Sequence, residues 1–121
     1  MKINIYKKVE NLPIDTVNLK LLKTEYENLS TEIDSIIFDT DSESLKRLDI
    51  LSVKTNTVYN FKDFNNEVVL LSGNQIGDYY IKIKEKLADR YAAINEIYYN
   101  LREDFNLTYT QAVSVFESLD I

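Results

Sequence analysis

The feature that most constrains this chain is an apolar run from Ile76 to Phe105. It places Ile76, Tyr80, Ile83, Leu87, Ile94, Ile97, Leu101 and Phe105 on steps of four and three, with one break. That spacing marks a single stripe along an α-helix. No proline falls inside the run, and its only glycine is Gly77, near the start. A helix of about thirty residues rises about 45 Å. A compact domain of this size has a radius of gyration of about 14 Å. Such a rod is expected to be too long to bury its stripe against one small domain, so packing against a second copy is predicted. The break falls at Arg90, an arginine in a stripe position, which hints that the rod carries function as well as packing.

The flanking elements predict an α+β fold, a small antiparallel hairpin joined to the long C-terminal helix, in a single domain over residues 1–121. Lys2 to Val9 alternates and reads as a strand ended by Asn11-Leu12-Pro13. Asp15 or Thr16 caps a predicted helix through about Ile37, with Leu22, Tyr26, Leu29, Ile33 and Ile36 on one face and a weak point at Ser30-Thr31. Asp39 or Asp41 caps a short helix from Ser42 to about Leu51, with Leu45, Leu48 and Leu51 inward. Val53 to Leu71 reads as a hairpin turning at Asp63-Phe64-Asn65-Asn66, where asparagine tolerates positive φ. Ser72 and Gln75 fit a capping box for the long helix. Thr108 or Thr110 caps a last short helix or strand ending at Leu119.

Composition narrows the chemistry. The formal charge is −6, which argues against a DNA or RNA binder, since that role needs a basic stripe to release counterions. A small anionic ligand stays open, because a local cluster of arginines can oppose the global field. There is no histidine and no cysteine. The commonest general base, disulfides and thiolate metal sites are therefore absent. No phosphate-cradling glycine loop with its lysine occurs. An enzyme is disfavoured and no cofactor is expected. Asp39 with Asp41 is a candidate carboxylate pair, set against simple helix capping. No apolar stretch approaches the roughly eighteen residues of a membrane span, and MKINIYKKVENLP lacks the pattern of a secretory leader. The expectation is a soluble, cytoplasmic protein with no membrane partner.

Nine tyrosines and five phenylalanines stand against no tryptophan. Tyrosine suits interfaces and ring-stacking pockets, although an AT-rich genome explains the same bias. Tyr91, Asn95, Tyr98 and Arg102 recur at four, three and four residues and so share one helical face. Tyr99 flanks that face and Arg90 borders it. Together these residues offer ring faces, an amide and guanidinium forks suited to phosphate. A tyrosine-rich coiled-coil flank accounts for the same spacing. The helix start, with Asn74 beside Gly73, is a second candidate, an anion site on free N–H groups, against plain capping and close backbone packing. Phe64 at the hairpin tip is either a staple onto the core or a lid that stacks on a ring.

Several segments in sequence carry a resemblance. They are Phe38-Asp39-Thr40-Asp41, Phe61-Lys62-Asp63-Phe64-Asn65-Asn66, and Val68-Val69-Leu70 leading through Ser72 into a long helix. Over about residues 36 to 104 the chain resembles a phage domain of unknown function found in tail-associated proteins. With the N-terminal strand and helix and Asp89-Arg90-Tyr91-Ala92-Ala93-Ile94-Asn95, it resembles the phage Thoeris anti-defence sponges. That resemblance implies a phage protein acting in the host cytoplasm. It would bind a cyclic ADP-ribose isomer, the immune signal, tightly and without cleaving it. It also implies homo-oligomers built on long helices, and cyclic oligonucleotides held by related members at a separate site. On residue chemistry, Tyr91, Tyr99 or Phe64 would stack on adenine, Asn95 or Asn74 would read polar edges, and Arg90 and Arg102 would hold phosphates. A tail-assembly or structural component is the alternative.

Overall fold

A computed structural model describes residues 12–119 of the chain. The expected strand from Lys2 to Val9 lies outside the described residues. The fold is α+β. In chain order it contains α1 (Thr16–Glu27), β1 (Thr31–Ile33), β2 (Ile36–Phe38), α2 (Ser42–Leu51), β3 (Val58–Lys62), β4 (Val68–Ser72), α3 (Gly73–Leu101) and α4 (Tyr109–Glu117). The strands form two separate two-stranded antiparallel sheets, β1 with β2 and β3 with β4. Among the described residues, no helix is long and apolar enough to cross a membrane.

The described chain divides into two compact units, residues 28–87 and residues 12–27 with 88–119. Helix α3 serves both. In the first unit, Ile76, Ile83 and Leu87 of α3 are buried, as are Ile33, Ile36, Phe38, Leu48 and Leu71. Phe38 is the aromatic centre, with ring centroids 5.5 Å from Phe61 and 5.3 Å from Tyr79. In the second unit, Ile94 and Tyr98 of α3 cluster with Leu19, Leu22, Leu107, Tyr109, Ala112 and Phe116. Tyr26 stacks on Phe116 at 5.2 Å. The Ile14 N–H donates to the Leu107 carbonyl at 2.7 Å, beside the Pro13–Thr108 bridge.

The long helix therefore does not leave its stripe bare. Ile76, Ile83 and Ile94 are fully buried within one chain and Leu87 nearly so. Ile76, Ile83 and Leu87 belong to the core of one unit and Ile94 to the core of the other. The helix also ends sooner than its apolar spacing suggests. Beyond Leu101 the backbone tightens to shorter bonds, Glu103 N–H to the Asn100 carbonyl and Asp104 N–H to the Leu101 carbonyl. The Asp104 carboxylate then accepts from the Asn106 N–H at 3.0 Å and turns the chain. Phe105, predicted to lie on the stripe, is 86% exposed.

The helix predicted through Ile37 is corrected. It stops at Glu27, and the following residues form a tight hairpin with Thr31 opposite Phe38 and Ile33 opposite Ile36. Asp34 and Ser35 make its two-residue turn, both at positive φ (52° and 66°), the conformation that matches strand twist in short hairpins. The rest follows the sequence closely. Asp41 caps α2, its carboxylate accepting from the Ser44 N–H. A hydrogen bond from the Ser44 hydroxyl is the leading reason the Asp41 carboxyl lies below its ordinary pKa, and the Ser44 N–H bond adds to it. The β3–β4 turn is organised by buried Asp63, which accepts from the Asn65 and Glu67 N–H groups at 2.9 Å each. Asn66 supplies the positive φ of 63°. Thr108 caps α4 with a full capping box through Gln111.

Candidate functional site

The candidate ligand residues fall in both units. Phe64 and Asn74 belong to residues 28–87, whereas Arg90, Tyr91, Asn95, Tyr98, Tyr99 and Arg102 belong to the other unit.

At the start of α3 the anion-site expectation fails. A helix N-terminus attracts anions through N–H groups that lack partners. Here those groups are already used. Gly73 N–H donates to the Thr57 carbonyl and Asn74 N–H to the Thr55 carbonyl, both at 2.9 Å. Gln75 N–H donates to Ser72 Oγ at 3.1 Å, and Gln75 Oε1 accepts from the Ser72 N–H at 2.9 Å. Gly73 is required because a Cβ there would overlap the Lys54 carbonyl. The Asn74 side chain remains exposed on an open groove of about 650 Å³ that also includes Asp49, Asp78, Tyr80 and Lys84. The Lys84 ammonium sits 4.4 Å from the Tyr80 ring centroid.

Phe64 is not a staple. Its backbone N–H is tied to the Ile37 carbonyl at 2.7 Å, while its side chain is 52% exposed. The turn is anchored and the ring is left in solvent.

On the second half of α3 the polar stripe is split by burial. Tyr98 is a core residue, 7% exposed, packed in the hydrophobic cluster with Lys23 over its ring at 5.4 Å. A ligand-facing role does not fit it. Arg90 is likewise buried, at 4% exposure. Burial lowers its guanidinium pKa, and the neighbouring Tyr91 partly offsets this. Tyr91 and Asn95 are half-buried, and Tyr99 and Arg102 are exposed. The Arg102 guanidinium lies 5.2 Å from the Tyr99 ring centroid, and Tyr99 meets the Tyr98 ring edge-on at 5.4 Å. Tyr91, Asn95, Tyr99 and Arg102, at steps of four, four and three, form the accessible ridge.

A further pocket was not anticipated. It opens in the unit of residues 28–87, with Phe38, Asp39, Ser44, Arg47, Leu48, Phe61 and Lys62 around about 310 Å³ of space that includes its mouth. Ser44, Arg47 and Leu48 come from one face of α2, Asp39 follows β2, and Phe61 and Lys62 end β3. No local motif announces it, because three separate elements supply its lining. Asp39 and Asp41, the candidate carboxylate pair, have different places. Asp41 caps the helix and Asp39 lines this pocket. Among the described residues no cluster of three potential metal ligands occurs.

Comparison of the chain with protein-family models, with curated proteins and with solved structures finds no match.

Proposed function

We propose that this protein is a phage anti-defence protein that binds and sequesters a cyclic ADP-ribose-type nucleotide without cleaving it. The observation that carries the reading is the Tyr99–Arg102 pair. It presents an exposed aromatic face and a stacked guanidinium, with Asn95 one turn earlier. A purine ring stacks on such a face, a phosphate pairs with the guanidinium fork, and an amide reads a polar edge. Sequestration needs no general base, which suits a chain without histidine or cysteine. The resemblance to the Thoeris sponges supplies the ligand class.

Calorimetric titration of the full chain with cyclic ADP-ribose isomers tests the reading. One isomer should bind with submicromolar affinity and be recovered with unchanged mass after heating. Heat from none of the isomers, or a recovered product of altered mass, sinks it. Native mass spectrometry with and without that isomer counts subunits and tests the proposed homo-oligomer.

The tail-assembly reading has one observation in its favour. Val58, Val68 and Leu70 of the β3–β4 hairpin are 62%, 58% and 66% exposed, an apolar surface suited to a protein partner. It predicts co-purification with phage tail proteins and no heat with any nucleotide.

A further inference from the structure

The pocket between α2 and the ends of β2 and β3 brings two cations, a carboxylate and an aromatic wall together in a chain of net charge −6. Arg47 and Lys62 both line it, and neither is ion-paired among the described residues, whereas Lys23 is paired with Glu27 at 3.2 Å. Asp39 lines the same pocket and forms no ion pair with either cation. The Ser44 N–H and hydroxyl are both committed to the Asp41 carboxylate. Ser44 lines the pocket in the first turn of α2, where the helix dipole favours negative charge. Phe61 is half-buried and fixed by its contact with Phe38.

We propose that this pocket binds a phosphate group that still carries one proton, either as inorganic phosphate or at the end of a phosphomonoester. Arg47 and Lys62 supply only donors. These satisfy phosphate oxygens. Asp39 supplies only acceptors. It repels a fully ionised anion and accepts a hydrogen bond from a P–OH. Phosphomonoesters keep that proton in part near neutrality, with a second pKa of about 6. Sulfate has no proton to offer. The donor and acceptor set therefore selects a protonated phosphate over an isosteric anion that carries none. The pocket is small and open, which fits one phosphate group rather than an enclosed nucleotide. This site shares no residue with the Tyr99–Arg102 ridge and does not depend on the sponge reading.

Amide NMR titration of the full chain at about pH 6, near the second phosphate pKa, tests the assignment with inorganic phosphate, sulfate and phenyl phosphate as probes. Phosphate should shift the amides of Asp39, Ser44, Arg47 and Lys62 saturably, and sulfate should not. Arg47→Gln, at an exposed position, should weaken phosphate at least about tenfold, as expected for loss of a charged hydrogen bond. Asp39→Asn should raise sulfate affinity until the two anions bind alike. Tighter binding of phenyl phosphate identifies a phosphomonoester with its organic part against Phe61, and equal binding identifies free phosphate. The proposal is overturned if these amides show no saturable shift with phosphate. It is equally overturned if sulfate matches phosphate in the unsubstituted chain, or if Arg47→Gln leaves phosphate affinity unchanged.

Discussion

The two ends of α3 look alike in sequence as candidate ligand sites, and the fold treats them oppositely. At the N-terminal end the polar groups are consumed by the chain itself. Thr55, Thr57, Ser72 and Gln75 take up the backbone donors and close the cap, and Gly73 is wedged against the Lys54 carbonyl. Near the C-terminal end, Tyr99 and Arg102 are left in solvent, in contact chiefly with each other and with the edge of Tyr98. The contrast teaches that a polar group marks a ligand site only when the fold has not already given it a partner. A helix start surrounded by loop carbonyls is finished structure. An exposed ring under a guanidinium is unfinished contact area.

The largest effects should come from the apolar stripe that both halves share. Ile83→Ala and Ile94→Ala each remove a fully buried side chain and should cost about 2–5 kcal/mol in chemical denaturation. Residue-resolved amide exchange sharpens the comparison. Ile83→Ala should loosen residues 28–87 most, and Ile94→Ala residues 12–27 with 88–119. Equal loosening of both by either substitution would break the division into two units.

Gly73 and Gly77 give the next contrast. Gly73→Ala pushes a methyl group into the Lys54 carbonyl and should cost about 1–3 kcal/mol. At Gly77 a Cβ meets only Ser52 Cβ at 3.4 Å. Gly77→Ala should therefore be neutral or raise stability by up to about 1 kcal/mol through helix propensity. A loss at Gly77 equal to that at Gly73 would show that the helix start is not uniquely tight at its first residue.

Ligand binding tests the ends directly. Tyr99→Ala and Arg102→Ala should each weaken the nucleotide by about 1.5–3 kcal/mol while changing the melting temperature little. Asn74→Ala should leave its affinity unchanged. The reverse pattern would move the site to the helix start.

The smallest effect concerns the caps. The α2 cap is a carboxylate whose folded pKa lies below its ordinary value. Its stabilisation is therefore present above about pH 4, the unfolded carboxylate value, and is lost as pH falls through the lower folded one. The α3 cap uses the neutral Ser72 and Gln75. Acid should speed amide exchange in the first turn of α2 and not of α3. Asp41→Asn, which keeps a good capping residue, should remove that difference.

The two hairpins show how legible the fold was. The β3–β4 hairpin was readable because its strands are five residues long and its turn carries Asn66, a residue suited to positive φ. The β1–β2 hairpin was hidden inside a predicted helix. Its strands have three residues each, too few to establish alternation, and Ile33 and Ile36 also fit helical spacing with Leu22, Tyr26 and Leu29. Its turn uses Asp34 and Ser35 rather than a glycine. Ridge and core were equally hard to separate by spacing. Tyr98 and Tyr99 are neighbours, and a rotation of about 100° per residue sends one into the core and the other to solvent.

Local chemistry in the sequence determined the helix starts, the β3–β4 turn, the period of the long helix and the thin catalytic inventory, because each depends on residues within a turn or two of one another. Tertiary structure decided what covers the stripe, that Arg90 is buried and Arg102 exposed, and that the first N–H groups of α3 are spent. It alone assembled Asp39, Ser44, Arg47, Phe61 and Lys62 around one pocket. Those outcomes depend on which distant elements pack together, and burial and partner choice are set by that packing rather than by spacing along the chain.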